Sequence, residues 1–337
     1  MKEKIQKNSR FSSICKAISS GRNFLIVCHR NPDGDCVGSA LALWHILRTM
    51  RKKPTVWIPE GVPGYLSFLK GANSVKKVIP EDARFDFTIA VDTASESILE
   101  KPLPPASVRG KVIVIDHHTI HSRWGDIYYY EKCSAVGEII LALIMKLGVN
   151  LTKTIAECLY VSIVTDTGSF RYDNTTAEVM RASARLLEAG VNPWKINKLV
   201  YESYPERRIF LLVDVLSTLK VDLGGKFATI EAPLEFLRKH KLGPDALEDF
   251  VNYPRGIRGV EVAALLRERE DGSVRVSLRS TGKVNVAKIA YNFGGGGHRA
   301  AGGCTFEPPE TIDGARQKLK DYLEVYFDKR GKSFLHD

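Results

Sequence analysis

The sequence predicts an α/β protein, with a doubly wound, mainly parallel N-terminal sheet and a smaller C-terminal α/β domain. Short β-branched apolar runs alternate with helix-like stretches through the first half of the 337 residues. This is the pattern of parallel strands connected by helices. After Asn192-Pro193 the pattern changes to strand-like segments, two of them separated by Asp271-Gly272, a strong hairpin signal. The length also suits two domains.

The predicted strands of the first half are compact apolar runs that suit burial on both faces of a sheet. They cover residues 23–29, 54–58, 85–92 and 111–116. The predicted helices, in which apolar residues recur near helical spacing, cover 37–50, 134–147, 153–166 and 175–190. Such an alternation places helices on both faces of the sheet.

The second half predicts a connector followed by the smaller domain. Residues 193–219 have the pattern of polar-faced helices. Strands are expected at 226–232, 260–270 and 273–280, and helices at 285–292 and 311–329. We therefore expect a first domain at 1–192, a helical connector at 193–219 and a second domain at 220–337.

The composition excludes several classes of protein. Hydrophobic residues make up 44% and charged residues 26%, which rules out wholesale disorder. No apolar run reaches the roughly 18 residues of a membrane span, and no apolar signal core follows the first ten residues. The six cysteines form no C-x-x-C pair, which argues against a disulfide framework and indicates a cytoplasmic protein. The net charge of +10 favours an anionic partner.

Carboxylates and imidazoles follow the predicted strands at the points where the strands end. They are His29 with Asp33 and Asp35 shortly after it, Asp92, Asp116-His117-His118 and, at the end of a helix, Asp166. In an open parallel sheet, ligands bind just outside the carboxyl ends of the strands. Five clustered Asp side chains would repel one another unless cations neutralised them. Oxygen and imidazole ligands without thiolate suit Mn²⁺, Mg²⁺ or Fe²⁺. Two such ions would serve an in-line displacement at phosphorus.

In this order, these residues resemble the motifs of the DHH phosphoesterase superfamily. The segment GGGGHRAAGG at 294–303 resembles the glycine-rich signature of its DHHA1 substrate-binding domain. The likeness runs from about residue 23 to 306, which is nearly the whole chain. The two-domain length most resembles the NrnA-like nano-RNase/pAp-phosphatase branch.

The resemblance implies a role for each motif residue. One divalent cation would be bound by His29, Asp33 and Asp92, and a second by Asp35, Asp92, His117 and Asp166, with Asp92 as the bridge. Mn²⁺ is the expected ion, with Mg²⁺ as the alternative. His118 would act on protons or charge at the phosphate, and Asp116 would orient a histidine.

The second domain is expected to hold the substrate phosphates. Arg279-Ser280 ends a predicted strand, and a guanidinium fork suits phosphate. Gly296 and Gly297 would let backbone amides approach an anion, with His298 and Arg299 as further donors. The reacting phosphate would then lie between the two domains.

The expected function is hydrolysis of short oligoribonucleotides to mononucleotides and of 3′-phosphoadenosine 5′-phosphate (pAp) to AMP. The expected partners are short RNA and phosphorylated nucleotides, without a membrane. The alternatives are cleavage of cyclic or linear dinucleotides, inorganic pyrophosphatase activity and a non-catalytic nucleotide-binding role. Which tyrosine stacks on a base (Tyr65, Tyr130 or Tyr172) and whether the chain forms a homodimer stay open.

Overall fold

The computed structural model describes residues 2–118, 122–297 and 299–333. The chain divides into two units, Met1–Ser203 and Tyr204–Asp337. No helix in the described ranges combines the length and the apolar character that crossing a bilayer requires.

The first unit is built on a parallel sheet. Its strands are β1 (Asn23–Val27), β2 (Lys53–Trp57), β3 (Phe87–Val91), β4 (Lys111–Asp116) and β5 (Ile127–Tyr130). In the described residues these five strands pair in the order β2-β1-β3-β4-β5, all in parallel. From β1 the chain passes to β2, which lies on one side of β1, and then to β3, which lies on the other side of β1. The strand order therefore reverses between β1 and β3, which is where ligands bind in open sheets of this kind.

Both faces of this sheet are buried, as the continuous apolar runs predict. The helices of the unit are α1 (Lys2–Ser20), α2 (Gly34–Thr49), α3 (Ala106–Arg109), α4 (Val136–Leu147), α5 (Lys153–Asp166), α6 (Ala177–Glu188) and α7 (Pro193–Tyr201). On β1, Phe24 and Ile26 join the core formed with α2, α4 and α5. Leu25 and Val27 alternate with them and join a second cluster, to which Phe85 and Leu99 contribute from loops. The α/β prediction is confirmed, although loops rather than long helices supply much of the second layer.

Helices α2 and α5 pack with their backbones close together. A Cβ atom added at Gly38 of α2 would lie 2.5 Å from the carbonyl oxygen of Cys158 on α5. Gly34 would likewise meet the side chain of Thr165, the residue before Asp166. Only glycine permits this approach, because any larger residue would separate the helices.

The second unit contains a mixed sheet. Its strands are β6 (Lys220–Asp222), β7 (Phe227–Ala232), β8 (Val262–Glu268), β9 (Val274–Ser280), β10 (Gly296–Gly297) and β11 (Ala301–Phe306). Within the described residues the order is β10-β11-β9-β8-β7-β6, and β7-β8 is the parallel pair. β8 and β9 form the predicted antiparallel hairpin, whose turn places Gly272 at φ 79°.

Helices lie on both faces of the second sheet. They are α8 (Glu206–Ser217), α9 (Leu234–His240), α10 (Asn252–Arg255), α11 (Val286–Asn292) and α12 (Ile312–Ser333). Residues of α11 and α12 pack with Val262 and Val276 in one cluster. Residues of α8 and α9 pack with Ile230 and Leu265 in the other. The segment expected to be a connector forms α7 and α8, and the division between the units falls between these two helices.

Candidate metal centre

The carboxylates and imidazoles at the strand ends meet where the strand order reverses. His29 follows β1, Asp92 follows β3, and Asp116 ends β4 with His117 directly after it. Asp166 joins them because it is the last residue of α5. The fold thus brings together side chains that are far apart in sequence.

Asp92 lies at the centre of the cluster. Its backbone has a φ of 54°, in the left-handed region that is uncommon for non-glycine residues but favoured by Asp. Asp92 directly follows β3 and is only 3% exposed. Its Oδ2 lies 3.5 Å from His29 Nε2, and its Oδ1 lies 3.4 Å from both His117 Nε2 and His118 Nδ1. A carboxylate with imidazoles beside both oxygens is suited to bridge two cations.

The charge state of Asp92 follows from these neighbours. Burial favours its protonated form, but contacts with His117 and His29 outweigh burial and hold the pKa of Asp92 well below its usual range. Even so, among the described residues its buried Oδ1 accepts no well-directed hydrogen bond. A buried carboxylate oxygen without a hydrogen-bond donor costs free energy of folding unless a nearby positive charge neutralises it.

His117 presents one ring nitrogen to three carboxylates. Its Nε2 lies 3.6 Å from Asp35 Oδ2, 3.4 Å from Asp92 Oδ1 and 3.8 Å from Asp166 Oδ2. Its Nδ1 lies 3.2 Å from the carbonyl oxygen of Cys133 and is suited to donate to it. Burial opposes protonation, but the carboxylates, above all Asp92, raise the pKa of His117 well above its usual value. The Cys133 contact favours the neutral tautomer with the Nε2 lone pair available for a metal.

Asp35 accepts hydrogen bonds from one backbone amide and two hydroxyl groups. It lies in the first turn of α2 and accepts a hydrogen bond of 2.8 Å from the Val136 amide at the start of α4. Ser162 Oγ donates to Asp35 Oδ1 at 2.5 Å, and Ser39 Oγ donates to the same oxygen at 3.1 Å. Burial, followed by the Asp92 carboxylate, still raises the pKa of Asp35 well above its usual value.

His29 and Asp33 lie at the entrance to α2. The Nδ1 of His29 lies 2.8 Å from the carbonyl oxygen of Arg30 and is suited to donate to it, which again favours the tautomer with Nε2 available. Asp33 is the N-cap of α2 and accepts from the Cys36 amide at 3.0 Å through Oδ1. Its charge raises the pKa of His29 and of Asp166, but Asp33 is not among the described side chains whose possible ligand atoms lie within 4.8 Å of one another.

Asp166 is placed where a carboxylate is electrostatically unfavourable. The carboxyl end of a helix carries partial negative charge, which a cation would offset. Burial, with His117 opposing it and Asp33 adding to it, raises the pKa of Asp166 to about 6. Asn174 Nδ2 donates to the Asp166 backbone oxygen at 3.0 Å and approaches its Oδ2 at 3.4 Å. Asn174 therefore positions this carboxylate.

Asp116 and His118 form a pair beside the cluster. Asp116 is fully buried, and its Oδ1 accepts a hydrogen bond of 2.7 Å from His118 Nδ1. Burial lowers the tendency of His118 to protonate, but Asp116 and then Asp92 raise its pKa above the usual value. The histidine that Asp116 orients is thus His118.

The donor set fits a divalent cation. Three groups of side chains each bring possible ligand atoms within 4.8 Å of one another: His29–Cys36–Asp92, Asp92–His117–His118 and Asp35–His117–Asp166. Apart from one thiol, the atoms are carboxylate oxygens and imidazole nitrogens, which suit Mn²⁺ or Mg²⁺. Asp92 belongs to two of these groups, and its buried Oδ1, which lies beside His117 and His118, is an atom that a cation would satisfy.

Sequence reasoning missed some of the residues around the centre. The structure places the Cys36 thiol among the possible ligand atoms. That thiol donates to the Val91 carbonyl oxygen at 3.4 Å, and burial raises its pKa well above the usual value. The sequence also does not predict the contacts of Ser162 and Asn174 with these carboxylates, because hydroxyl and amide residues in a helix or loop carry no sequence signal for a role of this kind.

The structure places the predicted substrate contacts in the second unit. Ser280 is buried, and its hydroxyl donates to the Val284 carbonyl oxygen at 2.8 Å, which holds a turn. Arg279 Nη1 donates to the Leu278 carbonyl oxygen at 3.1 Å, and Arg299 Nε donates to the Gly282 carbonyl oxygen at 3.3 Å. Gly296 and Gly297 form the short strand β10, paired with β11, rather than an open loop. The predicted contact His298 lies outside the described residues.

Comparison with known proteins matches both units. Residues 23–163 match the model of the DHH family, N-terminal domain, and residues 225–325 match that of the DHHA1 domain. A Thermus thermophilus protein named bifunctional oligoribonuclease and PAP phosphatase NrnA is 34% identical over 91% of this chain and 90% of its own length. A Bacillus subtilis protein of the same name is 26% identical over 90% of this chain and 95% of its own.

Among solved structures, an exopolyphosphatase-related protein from Bacteroides fragilis superposes with a TM-score of 0.84 at 27% identity. The match covers 95% of this chain and 98% of that one. A likeness of this extent includes both units of the chain.

Proposed function

Because this chain belongs to the DHH phosphoesterase family, we propose that it is a divalent-metal-dependent phosphohydrolase of short nucleotides. It degrades oligoribonucleotides of a few residues to mononucleotides and converts pAp to AMP. The names of the Thermus thermophilus and Bacillus subtilis relatives, which cover most of both chains, support these two substrates.

The observation that carries the proposal is the position of Asp92. Its two carboxylate oxygens face His29 on one side and His117 on the other, at 3.5 and 3.4 Å. We assign one cation to His29, Asp33 and Asp92. We assign a second to Asp35, Asp92, His117 and Asp166. Mn²⁺ is the expected ion, and Mg²⁺ would be accepted by the same oxygen-rich set.

The bound cations would lower the pKa of a water molecule and polarise the phosphoryl oxygens of the substrate. Other residues of the chain orient the side chains assigned as metal ligands. The Cys133 and Arg30 carbonyl oxygens accept from the Nδ1 atoms of His117 and His29, so both rings keep Nε2 directed at carboxylates. The Ser162 hydroxyl and the Val136 amide fix Asp35. Ligands whose geometry is set before binding lose little freedom during the reaction.

His118 is the group assigned to proton transfer or charge stabilisation at the phosphate. Its Nδ1 is held by Asp116 at 2.7 Å, an arrangement that orients the ring and favours its protonated form. A protonated imidazole can stabilise charge that develops on a phosphate oxygen or supply a proton to the departing oxygen. Asp116 acts through His118 and is a positioning residue.

The second unit is assigned to substrate binding. Arg279 and Arg299 supply the cationic side chains of this assignment, and His298 is assigned as a further donor. The glycines of β10 allow the backbone to approach an anion closely. Ser280 contributes by holding the 280–284 turn through its bond to Val284, and its hydroxyl also accepts from the Gly282 amide at 3.2 Å. The Gly282 carbonyl in turn accepts from Arg299.

The test is a product assay with Mn²⁺ on the full chain, its Asp92→Ala variant and a matched Asp82→Ala variant. Asp82 is exposed and lies outside the cluster. An RNA length ladder, pAp, cyclic dinucleotides and pyrophosphate are offered side by side. We expect the wild-type chain to hydrolyse short RNA and pAp, Asp82→Ala to match it, and Asp92→Ala to lose nearly all turnover. Substantial turnover by Asp92→Ala would refute the bridging role, and preference for cyclic dinucleotides or pyrophosphate would refute the substrate assignment.

A further inference from the structure

The Cys36 side chain gives one part of the candidate metal centre a different donor chemistry from the rest. Its sulfur, a His29 ring nitrogen and an Asp92 carboxylate oxygen lie within 4.8 Å of one another. The other two groups of possible ligands found among the described residues offer only oxygen and nitrogen atoms. The two parts of the cluster would therefore favour different cations.

His29, Cys36 and Asp92 are spaced as ligands of a small cation. Ligands of a tetrahedral ion with bonds of about 2.0–2.3 Å lie about 3.5 Å from one another. The distance from His29 Nε2 to Asp92 Oδ2 is 3.5 Å. The Nδ1 atom of His29 faces the Arg30 carbonyl oxygen at 2.8 Å, so Nε2 is available to a cation. The Cys36 sulfur lies within 4.8 Å of a ligand atom on each of the other two side chains, and a small movement would complete a three-ligand set.

A hydrogen bond holds the Cys36 sulfur at the end of β3. The thiol donates to the Val91 carbonyl oxygen at 3.4 Å, and Val91 directly precedes Asp92. The Thr93 hydroxyl donates to the same carbonyl oxygen at 2.8 Å. The Val91 carbonyl therefore keeps a hydrogen-bond donor when the thiol gives up its proton. Replacing the S–H bond by a sulfur–metal bond thus leaves this buried acceptor satisfied.

Asp33, which the family resemblance assigns to the same cation, already has a structural role. Its Oδ1 accepts from the Cys36 amide at 3.0 Å and caps α2. Cys36 is buried in the first turn of that helix, where the partial positive charge of the helix start stabilises a negatively charged ligand. Cys36, rather than Asp33, completes the close group with His29 and Asp92.

We propose that the Cys36 sulfur is a ligand of the cation at His29 and Asp92, and that it makes this position select Co²⁺, Zn²⁺ or Fe²⁺ over Mn²⁺ and Mg²⁺. The inference rests on the metal centre of the proposed function. On binding, a sulfur–metal bond forms, the S–H bond breaks and its proton passes to the solvent. Thiolate is a soft donor that favours such ions, whereas oxygen-rich sets suit Mn²⁺ and Mg²⁺. Mn²⁺ then remains the ion of the second position, whose ligands are oxygen and nitrogen.

Cobalt binding provides a spectroscopic test on the full chain. We expect titration with Co²⁺ to produce the near-ultraviolet charge-transfer absorption of a sulfur–cobalt bond. Cys36→Ser should lack this absorption. The matched control is Cys28→Ala, because Cys28 is also buried and its thiol faces the Cys36 carbonyl oxygen at 3.9 Å. This control should show the same absorption as the wild-type chain.

Calorimetric titration measures the change in metal selectivity. Cys36→Ser should lower the affinity for Co²⁺ and Zn²⁺ at this position by about 100-fold, the upper end of the effect of removing a group that only orients a ligand. Its affinity for Mn²⁺ should stay within about 3-fold of wild type, because the serine oxygen suits this harder ion. Cys36→Ala, which adds no polar atom to the interior, should also lack the absorption and replaces the serine variant if that variant fails to fold.

The outcomes separate the ligand assignment from the proposed function. Absence of the absorption in the wild-type chain, its persistence without Cys36, or its loss in Cys28→Ala alone would overturn the assignment. Equal losses of Co²⁺ and Mn²⁺ affinity in Cys36→Ser would overturn the selectivity. Hydrolysis of short RNA and pAp is measured on the same wild-type preparation with Mn²⁺. A chain that shows the absorption but cleaves neither substrate would overturn the proposed function and leave the sulfur ligand in place.

Discussion

Ser162 Oγ donates a hydrogen bond of 2.5 Å to Asp35 Oδ1, although the two residues are 127 positions apart in the chain. The same hydroxyl accepts a hydrogen bond of 2.9 Å from the Gly137 amide. One side chain of α5 thus connects α2 and α4 at the point where a proposed metal ligand is fixed. The function of this serine is set by the packing of three helices.

Ser162→Ala is expected to weaken metal binding. It removes the shorter of the two hydroxyl bonds to Asp35 and leaves the buried Gly137 amide without its acceptor, at a cost of about 1–3 kcal/mol in stability. Loss of a group that orients a ligand lowers metal affinity by about 10–100-fold. Titration of Mn²⁺ by calorimetry measures this, with Ser183→Ala as the control, because the Ser183 hydroxyl donates to the Val179 carbonyl oxygen of its own helix, α6. Equal affinity in the two variants would contradict the positioning role.

Asp116→Asn is expected to reduce turnover without removing metal. Asp116 contacts His118 at 2.7 Å, and His118 is assigned to the phosphate chemistry rather than to either cation. Asparagine has the same shape but no charge, so we expect kcat to fall by about 10–100-fold and the pH profile to shift. Metal content by elemental analysis and kcat against pH are the measurements, with Asp82→Asn as the control. Loss of metal in proportion to activity would place Asp116 among the ligands.

Metal is expected to stabilise the chain more at neutral than at acidic pH. Burial raises the pKa of Asp166 from its usual 3.8 to about 6, so the folded, metal-free chain favours the protonated carboxyl. The protonated Asp166 carboxyl therefore stabilises the folded chain fully below the pKa that it has in the unfolded chain. This stabilisation is lost as the pH rises through its pKa in the folded chain. A cation holds the ionised form and reverses that loss. The increase in Tm caused by Mn²⁺ should therefore be larger at about pH 7.5 than at about pH 5.

Asp166→Asn provides the control for this pH dependence. The variant has no carboxyl to titrate at this position. Without metal, its Tm should therefore fall less than that of the wild-type chain between about pH 4 and pH 6. An Mn²⁺ increment in wild-type chain that is the same at both pH values would contradict the assignment of Asp166 as a ligand.

Arg208→Ala is expected to destabilise the second unit. Arg208 is 7% exposed, its guanidinium carbon lies 3.6 Å from the Tyr204 ring centroid, and it donates to the carbonyl oxygens of Ala246 and Glu248 at 2.8 and 2.7 Å. Losing these contacts should cost about 3 kcal/mol in the free energy of unfolding. Denaturant unfolding of the full chain tests this. The exposed neighbour Arg207 gives the control Arg207→Ala, and equal effects of both variants would contradict the prediction.

The sequence predicts the elements whose own residues determine them. The helix expected at 153–166 is α5 to the residue, because a Thr152 cap and a long apolar pattern define it. Strand β11 escaped prediction because Gly302 and Gly303 disfavour strands locally. It forms because these glycines permit close contact with β9 and with the carbonyl of Val286. Strand β5 is four residues long and depends on pairing with β4.

The same distinction applies to the candidate site. His29, Asp92 and Asp116 follow apolar runs, so their convergence follows from the rule for parallel sheets. The residues that orient them come from packing that no local pattern reveals: the Cys133 carbonyl beside His117 and Asn174 beside Asp166 depend on chain segments folded back onto the sheet. The metal-ligand and substrate assignments themselves remain predictions.

The glycine contact between α2 and α5 has a consequence for how this protein can change over time. Asp35 lies on α2 and Asp166 on α5, and main-chain contact at Gly38 sets the distance between the helices. Apolar side chains elsewhere in the interior can be exchanged for others of similar volume without altering that distance. The distance between the two carboxylates therefore stays the same when apolar residues elsewhere in the core are substituted.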